Sequence, residues 1–198
     1  MNRLLALGAL LALSGCQAGG NIRTLDLSFG SYESSPAVLT HLSFEQPLAR
    51  TPEMIVASSA DVPGTLGGRT NSASVLSPPT DTDGDGAWTI RAQWVELTTD
   101  KAWTATAVVP LDRIRIDENV AVIGIVFGPN GEMLIASDEP TPDPSGYRDA
   151  ARVCGSRAPD GDRAWRLDTD RFPEMTDFLD PPPPSVRDPF CPAGETGR

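Results

Sequence analysis

The chain has 198 residues, with 27 Asp plus Glu against 16 Lys plus Arg, and a formal net charge of −11. So acidic a composition excludes nucleic acid as a partner, because phosphate binding needs clustered Lys and Arg, and it disfavours adhesion of the folded part to an anionic lipid surface. The length suits one domain plus irregular extensions, and it is enough to bury a sizeable core.

The first sixteen residues, MNRLLALGALLALSGC, open with Arg3 and continue as an uncharged apolar run from Leu4 to Leu13. That run is too short to span a bilayer, which needs about 20 residues. It also lacks the cap and the amphipathic face of a core helix. With Leu13-Ser14-Gly15-Cys16 at its end, the segment resembles the lipobox signal peptide of a bacterial lipoprotein. The resemblance implies cleavage after Gly15, a diacylglyceryl group on the Cys16 thiol, and an acylated amine. Several acyl chains on one residue mean lasting attachment to membrane lipid. Gln17 stands where an Asp would retain an enterobacterial lipoprotein in the inner membrane. The expected location is therefore the cell envelope, at the outer membrane facing the periplasm.

Residues 16–34 follow as a lipidated N-terminus and a Gly- and Ser-rich tether, with a few apolar residues free to join an edge strand. From Pro36 the pattern turns to β, with short runs at Ala37 to Phe44 and Glu53 to Ala57 between Pro and Gly punctuation. Residues 58–87 read as one long loop, unusual within a compact domain. Then Trp88, Ile90, Ala92 and Trp94 alternate with Thr89, Arg91 and Gln93, and a second alternating run covers Trp103 to Val109. A short polar connection joins the two, which predicts an antiparallel hairpin. Val120 to Phe127 is apolar on both faces and predicts a central strand covered on both sides. It enters Gly128-Pro129-Asn130-Gly131, whose Asn-Gly suits a tight turn, and then a strand over Glu132 to Ala136.

Beyond residue 137 the character changes. Eleven of the nineteen prolines lie there, including the run Pro181 to Pro184, which cannot sit inside a helix or sheet. Short helical turns are expected at Gly146 to Val153 and Pro173 to Leu179. Of the three cysteines, lipid takes Cys16, leaving Cys154 and Cys191 in an oxidising compartment, where a disulfide is the expected outcome. The chain therefore divides into a signal peptide (1–15), a tether (16–34), an antiparallel β domain (35–137) and an irregular Pro- and Asp-rich region (138–198). The expected fold is mainly β: an antiparallel β-sandwich or an open barrel-like sheet, with a disulfide-tied C-terminal extension.

Asp81-Thr82-Asp83-Gly84-Asp85-Gly86 is the one constellation with metal-site spacing. Alternate carboxylates can converge on calcium, and the glycines allow the sharp turn this requires. Against an EF-hand, the twelfth loop position is Ala92 instead of a bidentate Glu, and strand-like residues replace the flanking helices. An ordinary acidic turn is the competing reading, with Asp81, Asp83 and Asp85 as the calcium ligands otherwise. Asp83 to Trp88 has an echo at Asp160 to Trp165, read as an Asp-Gly turn launching a Trp-led strand twice. Trp88, Trp94 and Trp103 suit a small β core better than an exposed row for stacking on sugars. His41, the sole histidine, has no acid or nucleophile beside it in sequence.

No nucleophile elbow, zincin helix, phosphate loop or Ser-x-x-Lys is present, so no catalytic residue is assigned and no cofactor is required beyond the calcium option. Trp94-Val95-Glu96-Leu97, Lys101-Ala102-Trp103, Val108-Val109-Pro110 and Phe127 to Glu132 are similar to a family of uncharacterised proteobacterial lipoproteins, over about a quarter of the chain. That resemblance implies the class and no activity. The expectation is a membrane-anchored envelope lipoprotein acting as a non-enzymatic binding or structural module, its partner another envelope protein or a glycan. The alternative is a calcium-dependent binder or hydrolase using residues 81–85.

Overall fold

A computed structural model describes residues 22–32, 34–57, 74–81, 83–138, 147–168, 171–173, 179–183, 185 and 188–193. The signal peptide, Cys16, residues 58–73 of the long loop and residues 174–178 of the expected second helical turn lie outside them. Eleven strands follow in chain order: β1 (Thr24–Ser31), β2 (Ala37–Phe44), β3 (Arg50–Val56), β4 (Ser74–Leu76), β5 (Ala87–Glu96) and β6 (Lys101–Pro110). Then come β7 (Arg115–Asp117), β8 (Val120–Gly128), β9 (Glu132–Asp138), β10 (Tyr147–Cys154) and β11 (Ser156–Arg157). One sheet runs β10-β9-β8-β1-β4, with β7 also paired to β8; the other runs β11-β6-β5-β2-β3. A single core joins them, which makes the molecule a two-layer β structure.

Alternation in the sequence decides the inner faces. Trp88, Ile90, Ala92 and Trp94 of β5 and Trp103, Ala105, Ala107 and Val109 of β6 all enter this core. The β5–β6 hairpin sets Trp94 opposite Trp103 and Glu96 opposite Lys101. Its turn is built around Glu96, a fully buried carboxylate. Glu96 accepts hydrogen bonds from Ser35 Oγ (3.1 Å), Thr98 Oγ1 (3.2 Å), Thr99 Oγ1 (3.3 Å) and Trp103 Nε1 (3.3 Å). Four neutral donors hydrogen-bond this carboxyl group, which is what a buried polar group requires. β8 is central and buried on both faces along most of its length. At its end Asn130 and Gly131 take positive φ, and a Cβ on Gly131 would overlap the Trp103 ring, so only glycine fits.

Several expectations need correction, beginning with the long loop, within which Ser74–Leu76 form β4 against β1. The sheet containing β8 is mixed and not purely antiparallel, because β1 pairs with β8 in parallel from Thr24↔Val120 to Ser31↔Phe127. From Thr24 onward the tether reading therefore fails: Leu25, Leu27 and Phe29 are buried in the core, and β1 lies inside its sheet. Gly- and Ser-rich surroundings concealed an alternation whose partner strand lies far along the chain. In place of the helical turn expected at Gly146 to Val153, residues 147–153 belong to β10, antiparallel to β9, and Gly146 lies outside the described residues. Through Gly155 the chain then crosses to the second sheet as β11, and a Cβ there would press on the Thr104 and Gly131 carbonyls.

The expected disulfide joins Cys154 and Cys191, and a loop of this size stabilises by about 3–4 kcal/mol in the chain-entropy account. The Arg152 guanidinium lies 4.2 Å above the Phe190 ring and 2.5 Å from Glu132 Oε1. Burial pushes Glu132 above the usual carboxylate range, and Arg152 opposes that shift.

Candidate functional site

On the outer face of the second sheet the C-terminal extension does two things. It covers the apolar end of that face, where Trp165 packs with Val38, Val95, Leu97 and Ala102 in a second buried cluster. Phe172 meets Trp165 edge-on at 5.4 Å. Beside this plug it leaves open a cleft of about 580 Å³ bounded by β2, β3, β5 and residues 157–165, a volume in the range of small-molecule sites.

The cleft floor is a row of paired residues across neighbouring strands: Arg50 of β3, His41 of β2 and Gln93 of β5. His41 reaches that face because β2 carries a bulge. The pairing register shifts between Leu39 and His41 against both neighbouring strands, so Thr40 is an extra residue. Leu39 packs into the core, and strict alternation would send His41 after it. The bulge makes Leu42 the next residue packed inward, and His41 turns outward.

Thr40 then fixes the imidazole. Its Oγ1 donates to the Gln93 carbonyl at 3.0 Å and lies 2.9 Å from His41 Nδ1. A hydroxyl has one proton, and a carbonyl cannot donate, so the Nδ1 contact must run from the ring to the hydroxyl. The neutral ring therefore carries its proton on Nδ1 and its lone pair on Nε2. Burial, and then the Arg50 charge, hold His41 below its ordinary value of 6.5, with Glu53 opposing. Both effects disfavour the protonated ring.

The wall of the cleft is pinned from the start of β6. Asp162 Oδ1 accepts from the Ala102 N–H at 2.7 Å, and both Asp162 oxygens accept from Arg157 Nη2 (2.9 and 2.7 Å). Arg157 Nη1 in turn donates to the Ala102 carbonyl. The Arg157 hydrogen bonds hold Asp162 below the usual carboxylate range. Gly161 packs so closely on Gln93 that a Cβ would sit 2.8 Å from Nε2. The arginines around the cleft each face a carboxylate: Arg50–Glu53 at 3.2 Å, Arg157–Asp162 at 2.7 Å and Arg163–Asp168 at 2.5 Å.

The acidic turn lies elsewhere, at the entry to β5. Asp81, Asp83 and Asp85 each offer a carboxylate oxygen within 4.8 Å of the others, as the spacing predicted. The turn is also closed by its own backbone. Asp81 Oδ1 accepts from Gly84 N–H at 2.7 Å and its Oδ2 from Gly86 N–H at 3.0 Å, while Asp85 Oδ1 accepts from Ala87 N–H at 2.9 Å. Desolvation would raise Asp81, but the Gly86 and Gly84 donors outweigh it and hold it low. The Asp85 charge pushes Asp83 up. The tryptophans expected in the core are there: Trp88, Trp94 and Trp103.

Sequence reading missed the His41 cleft, whose parts come from four separated segments. The Thr40-His41 dipeptide inside a β run was its only visible trace. No helix among the described residues is long and apolar enough to cross a membrane. No family model, curated protein or solved structure matches the chain.

Proposed function

We propose that this protein is a lipid-anchored lipoprotein of the bacterial envelope whose β domain is a non-enzymatic binding module. Membrane lipid holds it through acylated Cys16, and the domain faces the periplasm. The observation that carries the reading is the cysteine arithmetic. Cys154 and Cys191 pair with each other, as an oxidising compartment favours, and this leaves the lipobox Cys16 as the one remaining cysteine. The cleft supports the binding half: it gathers polar groups from three strands and residues 157–165 around one histidine.

Mass spectrometry of the protein recovered from membranes tests the anchor. The expected N-terminus is Cys16 bearing acyl chains, with residues 1–15 absent, and Cys16→Ser moves the protein out of the membrane fraction. An unacylated, uncleaved chain sinks the reading. The convergence of Asp81, Asp83 and Asp85 favours a second reading, a calcium-dependent binder. Under that reading calcium raises the melting temperature over chelator, and Asp83→Asn with Asp85→Asn abolishes the rise.

A further inference from the structure

We infer that the His41 cleft is a binding site for an uncharged saccharide, with a sugar hydroxyl donating to His41 Nε2. This rests on the binding-module reading above and names its ligand class. Charge is the first ground. Arg50, Arg157 and Arg163 enter the cleft with Glu53, Asp160 and Asp162, so its lining is balanced within a chain of net charge −11. A phosphate or carboxylate ligand needs cationic groups with no competing anion, and here each arginine already holds a carboxylate. An ammonium ligand would face three guanidinium groups. A neutral polyol meets neither obstacle. Ion-paired planar groups still present unused N–H donors beside unused carboxylate lone pairs, and a hydroxyl both donates and accepts.

The second ground is the acceptor that Thr40 fixes on His41. The Thr40 hydroxyl fixes the Nδ1–H tautomer, so Nε2 can only accept as long as the ring is neutral. The cleft therefore offers a fixed acceptor at His41 beside the N–H donors of its arginines, the complement of a molecule whose hydroxyls both donate and accept. Apolar contact comes from Ala158 and Pro159 along the wall.

His41 is the only histidine, so its ring nitrogens give a single unambiguous pair of resonances. The test uses the full mature protein in a sugar-free detergent, followed by long-range proton–nitrogen NMR. Without ligand, the spectrum should show the Nδ1–H tautomer. The probes are uncharged oligosaccharides (N-acetylglucosamine, cellulose and maltose series), with inorganic phosphate and acetate as charged comparators. At least one neutral series should shift Nε2 saturably. His41→Phe should weaken that binding about tenfold or more, the worth of one lost hydrogen bond. Asp160 lies exposed on the wall, so Asp160→Asn provides a fold-preserving variant, expected to weaken the same saccharide. The inference is overturned if no neutral saccharide shifts Nε2 saturably, or if phosphate or acetate saturates the site while sugars do not. A failed saccharide titration leaves the lipid anchor standing, and an unacylated N-terminus leaves the cleft chemistry standing.

Discussion

Asp83-Gly84-Asp85-Gly86-Ala87-Trp88 and Asp160-Gly161-Asp162-Arg163-Ala164-Trp165 match at five of six positions and fold differently. In the first, Gly86 takes a φ of +76°, and the Asp81 carboxylate gathers the Gly84 and Gly86 N–H groups. The chain leaves that turn already extended, and Trp88 enters the central core from β5. In the second, Arg163 replaces the second glycine, and a positive φ is disfavoured there. Asp162 is drawn away to Ala102 and Arg157. Two short 3₁₀ turns form, Pro159–Gly161 and Trp165–Leu167, instead of the strand expected from the echo. Trp165 then lands on the outer face of the second sheet. One glycine and one tertiary acceptor separate a core strand from a plug that walls a cleft.

The largest test of that contrast is to remove each tryptophan. Both are fully buried, and truncating such a side chain to Ala costs about 3–5 kcal/mol. Trp88→Ala should lower the denaturation midpoint of the whole domain and raise hydrogen exchange through both sheets. Trp165→Ala should loosen the extension first, with faster exchange around residues 157–172 while β5, β6 and β8 stay protected. Equal exchange throughout both variants would show that the plug is not a separable unit.

Gly86→Ala comes next. Nothing lies within 4 Å of a Cβ built there, so the expected cost is backbone strain alone, about 1–2 kcal/mol by urea denaturation. Gly131→Ala is the natural reference and should be worse, since it adds a clash with the Trp103 ring. Asp162→Asn should cost about 1 kcal/mol, discounted for partial exposure. The Asp162 contribution has a definite sign with pH. Its folded pKa lies below the ordinary value of 3.8, so the stabilisation is present above that value and is lost as pH falls through the folded one.

Much of the fold was legible because its inner faces alternate strictly. Trp88 to Trp94 and Trp103 to Val109 could be assigned from period alone, and the Asn130-Gly131 turn from residue type. β1 was hidden because Leu25, Leu27 and Phe29 sit among Gly and Ser, and their partner is a parallel strand about a hundred residues away. Parallel pairing leaves no turn signal in the sequence. Little of the candidate site could be read, since a bulge at Thr40 reverses which face His41 occupies, and bulges follow from pairing with neighbouring strands. The acidic turn was legible because its geometry is local.

The smallest expected effect belongs to His41 itself, and it separates the cleft from the plug. Its folded pKa is lowered by burial and by Arg50, with Glu53 opposing, and the cleft it lines also holds Arg157, Asp160, Asp162 and Arg163. A histidine that resists protonation in the folded state leaves the unfolded chain to bind the proton first. Its contribution is therefore fully present above the ordinary value of 6.5 and declines as pH falls below it toward the folded pKa. Denaturation midpoints of the native chain should drop modestly between about pH 7 and about pH 5. His41→Phe should flatten that part of the profile and leave the acid limb below it, where Asp162 titrates, unchanged. Thr40→Val should preserve the charge change but release the tautomer, which NMR would register as a mixture of Nδ1–H and Nε2–H rings. If Thr40→Val keeps the single tautomer, the hydroxyl is not what holds the ring, and the acceptor facing the cleft has another origin.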